Sequence, residues 1–93
     1  MRGTLPQKHT MTQDEIKGQI RESISRITGI RADDIGERAS FQKDLGLDSL
    51  SLLELVVHLE YGFKIKVPED ALPGLQTVAD TAQYVHERIS TRA

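Results

Sequence analysis

Cysteine is absent from the chain, which removes disulfide frameworks and thiolate metal sites together and leaves nothing that needs an oxidising compartment. Tryptophan is absent too, and two Phe and two Tyr supply all the aromatic content, too little of what a small β-sandwich packs with. No apolar run approaches the roughly 18 residues that cross a bilayer, and the first residues lack the apolar core of a secretory signal. No excess of positive charge exists either. The formal net charge is −2 with Lys and Arg scattered, whereas nucleic-acid binders concentrate a basic face. The three His (His9, His58, His86) are too dispersed for metal-ligand spacing and read as surface residues. The expectations are a cytoplasmic protein with no nucleic-acid partner, no membrane insertion and no metal.

What remains is a 93-residue chain, one domain's worth, whose small core leaves little room for a deep enzymatic cleft and favours a carrier or binding role. Residues 1–11 are polar, carry Gly3 and Pro6, and show no periodicity; they read as a disordered leader or a non-native remnant, with Met11 a candidate native start. The folded domain is expected over 12–90. Thr12-Gln13-Asp14-Glu15 has the form of a capping box, and Ile16, Ile20, Ile24 and Ile27 then follow as one stripe of an amphipathic helix that Gly29 would end. Ile30 to Leu47 is a long connection rich in turn residues, with one short turn near Ala32 to Ile35. Ile30, Ile35, Phe41 and Leu45 are spaced through it as anchors. A second helix runs from Asp48 or Ser49 to about Tyr61, stopped by Gly62. A short third runs from Pro68 to Leu72, broken by Pro73-Gly74. The last opens at Thr77-Val78-Ala79-Asp80, a capping box with Asp in place of Glu, and continues through Ala82, Val85 and Ile89. The fold class is all-α, a four-helix bundle with a long loop between the first two helices and a short third helix.

The second helix has two apolar faces. At about 100° per residue, Leu52, Leu55, Val56, Leu59 and Phe63 form the stripe that faces a core, while Leu50, Leu53 and Val57 lie nearly opposite, with Glu54 and Tyr61 at their edge. One small core cannot take both, so the second stripe is exposed or meets something transient, unless a compact bundle buries most of it. From Asp44 to Glu60 there are four acids and no Lys or Arg, against −2 for the whole chain. Such a surface steers toward basic patches in fast, salt-sensitive encounters; the plainer reading is a solvated helix.

Ahead of this helix stands Asp44-Leu45-Gly46-Leu47-Asp48-Ser49-Leu50, which puts a hydroxyl on the first turn, beside unpaired backbone N–H groups and the positive end of the helix dipole. A phosphodiester on Ser49 would be well placed there. A serine at a helix start is more often only an N-cap. As a nucleophile Ser49 would need a base, and His58 is nine residues away on the same helix, roughly 13 Å along the axis. No Gly-x-Ser-x-Gly elbow is present. Ser51 reads as an ordinary exposed helical serine.

The run DLGLDSL before an apolar helix resembles the phosphopantetheine attachment motif of acyl carrier proteins, and the likeness extends from about Ile16 to Ile89 through Ala39-Ser40-Phe41, Val67-Pro68-Glu69 and Thr77-Val78. The resemblance implies the acyl-carrier type of four-helix bundle and a non-catalytic protein. It implies 4'-phosphopantetheine, transferred from coenzyme A to Ser49 by a phosphopantetheinyl transferase, with Asp48 the acidic neighbour. It also implies a partner-facing strip of Leu50, Leu53, Glu54 and Val57, with Glu60 further along, that meets acyltransferase- and ketosynthase-type enzymes. Leu55 and Leu59 would line an interior that shelters acyl chains in some carriers. Transient exchange among partners suits a monomer. Lys64, Lys66, Leu52-Leu53 and Tyr61 depart from the usual fatty-acid carrier pattern and tilt the cargo from fatty-acid toward polyketide or other specialised biosynthesis. Two alternatives stay open: a peptidyl or D-alanyl carrier, and an unmodified helical interaction domain.

Overall fold

A computed structural model describes residues 11–91, the side chain of Thr91 excepted. Three α-helices, α1 (Gln13–Thr28), α2 (Ser49–Phe63) and α3 (Val78–Thr91), alternate with two 3-10 segments, Ala32–Asp34 and Glu69–Gly74. Among the described residues there is no strand, only an isolated antiparallel bridge between Ser40 and Thr77. None of their helices is long and apolar enough to cross a membrane. Residues 1–10 of the expected leader, His9 among them, lie outside the described residues, and Met11 packs partly buried against the core.

α1 starts where the capping box puts it. Glu15 N–H donates to Thr12 Oγ1 at 3.2 Å, and Thr12 N–H donates to Glu15 Oε1 at 2.9 Å. Ile16, Ile20 and Ile24 are fully buried and Ile27 partly so. Gly29 closes the helix at φ +83°, its N–H donating to Ser25 O at 2.8 Å. α1 packs against both other helices, most extensively against α3, whose Val78, Ala82 and Val85 are buried.

The end of α2 differs from expectation. Gly62 does not stop it: the helix continues through Phe63, whose side chain is buried, and ends at Lys64, which adopts a left-handed backbone (φ 57°) and donates its N–H to Glu60 O. Burying Phe63 carries the helix past a residue of poor propensity. The short third helix is also different. It is the 3-10 segment Glu69–Gly74, with Pro68 outside it as cap and Pro73 inside it. Ala71 N–H bonds Pro68 O and Leu75 N–H bonds Leu72 O, each at 3.0 Å, so the segment keeps the tighter i to i+3 pattern, while Pro73 blocks an α-helical continuation. At α3, Thr77 Oγ1 accepts from Asp80 N–H at 3.0 Å, but the shorter Asp80 side chain makes only a 3.4 Å contact, to Gln76 N–H.

The long connection is pinned. Ile35 and Phe41 are buried, Ile30 and Leu45 partly so, and Leu47 joins the core as well. Polar ties reinforce them: Arg21 Nε to Ile35 O (2.9 Å), Ala79 N–H to Glu37 O (2.9 Å), Phe41 N–H to Gln76 O (2.8 Å) and a Lys17–Glu37 ion pair (2.6 Å). Lys17 accordingly holds the Glu37 carboxyl below its ordinary pKa, first through the hydrogen bond and then through its charge.

The two glycines expected to end helices should respond oppositely to alanine. Gly29→Ala forces a Cβ into a left-handed backbone and should cost about 1 kcal/mol. At Gly62 a Cβ would meet only Gln19 Oε1, at an ordinary 3.8 Å, so Gly62→Ala should stabilise by about 0.5–1 kcal/mol. Urea midpoints at constant m-value measure both; a Gly62→Ala protein less stable than wild type would contradict the assignment of Gly62 to the helix interior.

Candidate functional site

Asp44, Gly46, Leu47, Asp48 and Ser49 each have a separate task. Asp44 ties off the turn, its carboxylate accepting from Ser40 N–H at 2.7 Å while its own N–H donates to Ser40 O at 2.9 Å. Gly46 reverses the chain at φ +73°, a left-handed backbone that disfavours any side chain although the space around it is open. Leu47 is buried, and its N–H donates to Phe41 O at 2.8 Å. Asp48 is the N-cap: its Oδ1 accepts from Ser51 N–H at 2.9 Å, and its carbonyl accepts from Leu52 N–H at 2.9 Å. Ser49 is therefore the first helical residue, and it is exposed.

This arrangement answers the plainer reading of the serine. Capping belongs to Asp48, so the Ser49 hydroxyl is not the helix cap, and the Ser49 and Leu50 N–H groups lie outside the intrahelical ladder. The pattern Asp48-x-x-Ser51 was the available signal for that cap. The Ser51 backbone N–H, with the Ser51 hydroxyl second, holds the Asp48 carboxyl below its ordinary pKa, so the cap is ionised at neutral pH. Ser51 itself is half-buried rather than exposed, since it stands in the first turn facing its cap.

α2 presents both apolar faces as distinct surfaces. Leu55, Leu59 and Phe63 are buried, with Leu52 and Val56 partly buried beside them. Opposite, Leu50 is 70% exposed, Leu53 50%, Val57 45% and Tyr61 81%, so the bundle leaves this strip open; Glu54 at its edge is exposed. Glu60, expected on the same strip, turns partly inward. It is half-buried, and Oε2 accepts from Val67 N–H at 2.9 Å, clamping the segment that leaves α2.

A cleft of about 490 Å³ opens beside Ser49, between α2 and the 3-10 segment, with Leu52, Leu55, Val56, Leu59 and Leu72 among its walls. Leu72, Gln42 and Glu69 reach it only through the fold. The signal for Leu72 was slight, an apolar residue in a short proline-flanked segment. His58 is elsewhere, lining a groove with Gln19, Glu22 and Arg26 of α1. No group of three or more His, Asp or Glu that could hold a metal exists among the described residues. An exposed hydroxyl at the positive end of α2, at the mouth of an apolar cleft, suits a phosphate-linked arm with an apolar load.

Comparison with known proteins agrees with this geometry. The sequence model of the phosphopantetheine attachment site family matches residues 18–85. The meromycolate extension acyl carrier proteins of Mycobacterium leprae and Mycobacterium tuberculosis are each 40% identical over 77 residues, 83% of this chain and 67% of theirs. That of Mycolicibacterium smegmatis is 38% identical over 76 residues, 82% of this chain and 77% of its own. Among solved structures, the acyl carrier protein of Enterococcus faecalis superposes with a TM-score of 0.71 at 27% identity, covering 84% of this chain and 99% of that one. The apo doublet acyl carrier protein from prodigiosin biosynthesis, at 23% identity and a TM-score of 0.70 over 81% of this chain and 36% of that one, shares the fold. Members of the family bear 4'-phosphopantetheine covalently and act as non-catalytic carriers. With the attachment-site match spanning most of the described residues and the bundle superposing on solved carriers, the chain belongs to the acyl carrier proteins.

Proposed function

We propose that Ser49 is the attachment residue of the 4'-phosphopantetheine arm, and that a phosphopantetheinyl transferase esterifies it from coenzyme A. The observation that carries this is the division of labour at the start of α2: Asp48 caps, and the next residue offers an exposed hydroxyl. The ionised Asp48 holds the first turn through Ser51 and so fixes where Ser49 stands. The arm supplies a thiol that bears the acyl group as a thioester; this chain presents it. Leu50, Leu53, Glu54 and Val57 form the face that successive acyl-handling enzymes read, of ketosynthase and acyltransferase type, and a monomer suits such exchange. As cargo we propose acyl chains in the course of extension, the process in the relatives' names. The cleft beside Ser49 supports this cargo, because its walls are aliphatic and each methylene withdrawn from water is worth about 0.8 kcal/mol.

Incubating the chain with a broad-specificity transferase and coenzyme A should add one phosphopantetheine to the intact mass, while Ser49→Ala stays unmodified. A modified Ser49→Ala protein, or an inert wild type, would overturn the assignment. The cap predicts a pH dependence. Because the folded pKa of Asp48 lies below its unfolded value, its contribution is complete above the ordinary carboxylate range and is lost as pH falls through the lowered value. Asp48→Asn keeps a capping oxygen without the titration, so the stability difference between wild type and Asp48→Asn should move against wild type between about pH 5 and pH 2. Urea midpoints across that range measure it, and a pH-independent difference would remove the proposed role of the charge. For the cleft, the thermal midpoint of acylated protein should rise with chain length from acetyl to octanoyl. Val56→Phe, which narrows the cleft, should flatten that rise; an equal rise in the variant would place the chain elsewhere.

A further inference from the structure

The exposed strip of α2 does not end at the last apolar residue. Val57 and Tyr61 belong both to the strip and to a groove of about 750 Å³ at the far end of the helix, and three cationic side chains line that groove: Lys64, Lys66 and, from α3, Arg88. Lys64 and Lys66 follow α2 directly on either side of the buried Ile65. Arg88 is brought to them by the packing of α3, with its guanidinium 5.6 Å from the centre of the Tyr84 ring. Glu60, whose Oε2 accepts the Val67 N–H, is the one acid in the groove lining. The opposite end of the strip has the other sign. Asp48 and Glu54 are exposed there, and no Lys or Arg occurs from Asp44 to Glu60.

Asp48 and Lys64 are sixteen residues apart, about 24 Å along the helix axis. That exceeds the screening length of roughly 8–10 Å at ordinary salt, so the two ends act as separate charged sites and do not cancel each other. We infer that the Lys64–Lys66–Arg88 groove is a second docking subsite that takes carboxylate side chains of a partner protein, resting on the carrier reading above for the partner itself. The partner's matching surface is basic opposite Asp48 and Glu54, apolar along Leu53 and Val57, and acidic about 24 Å further on. A partner aligned in the reverse direction meets like charges at both ends, and one that is basic along its whole docking face is repelled at the groove. The bipolar pattern thus sets direction along α2 and selects among carrier-binding enzymes.

The test uses the full chain, before and after treatment with transferase and coenzyme A, labelled with ¹⁵N, and two probes: hexaglutamate and hexaarginine. At low salt hexaglutamate should shift, saturably, the amides of Val57, Tyr61, Lys64, Ile65, Lys66 and Arg88, and hexaarginine those from Asp48 to Glu54. The double variant Lys64→Glu, Lys66→Glu should lose the first response and keep the second, and Arg88→Gln should weaken the first alone. Hexaglutamate shifts spread equally over Lys17, Arg31, Arg38 and Lys43, or absent from the groove, would overturn the inference. The mass of the wild type after treatment with transferase and coenzyme A separates the two readings. A protein that takes the arm yet ignores hexaglutamate loses only the groove. One that binds hexaglutamate at the groove yet never takes the arm loses only the carrier reading.

Discussion

Leu47 is buried and Ser49, two residues later, is exposed, so within that interval the chain must leave the core and begin a helix. Gly46 makes the turn that brings Leu47 to the core by accepting a left-handed backbone, and Asp48 supplies the helix start by bonding Ser51 N–H. If Leu47 were not anchored, the cap could form at a neighbouring register and a different side chain would stand at the helix entrance. The buried leucine therefore fixes the address of the serine, as the cap fixes its orientation. Both effects are local, but Leu47 can serve as an anchor only because Phe41, whose carbonyl accepts its N–H, is itself held in the core.

That dependence explains why so long a connection is ordered. Ordering each backbone residue costs about 1–2 kcal/mol, and a stretch with poor periodicity has no internal ladder to offset this. Here the compensation comes from outside the loop. Its middle bonds α1 through Arg21 and Lys17, and its end bonds the approach to α3 through Phe41, Gln76 and the Ser40–Thr77 bridge. The start of α3 and the start of α2 are thereby fastened to the same strap. Repacking of α3 against α1 would reach the start of α2 through Glu37 and Ala79.

The parts legible in the sequence were those written in short range. The Thr12–Glu15 box, the isoleucine stripe, the Gly29 stop and the two faces of α2 follow from spacings of three and four residues, and the structure reproduces them. Ser49 was legible as a helix-start hydroxyl, and the attachment motif resembled a known family. The differences arise where tertiary burial outvotes local propensity. Phe63 gains a buried position by extending α2 through Gly62, and Pro73 is absorbed into a 3-10 segment that needs fewer donors. Glu60 carried only its charge in the sequence, and its turn toward Val67 N–H depends on how the chain leaves the helix. Leu72, Gln42 and Arg88 reach their clefts through packing between elements, which no spacing along the chain encodes.

As the proposed docking surface, the exposed face of α2 also sets an upper limit on how tightly the protein can be held. Leu50, Leu53, Val57 and Tyr61 form a narrow strip, and stable complexes bury about 1,200–2,000 Å² in all. A contact restricted to that strip is weak by area, which is what release after each transfer requires. Raising affinity by widening the apolar surface would slow release and expose a lone protein to self-association. Charges at the ends of the strip escape this conflict: long-range attraction accelerates encounter and orients the partner, while exposed ion pairs add only about 0–1 kcal/mol to the bound state. On the docking proposed above, selectivity for the right enzyme comes from the pattern of charge along one helix, and the apolar strip between need only be complementary enough to seat the partner while the arm reaches its target.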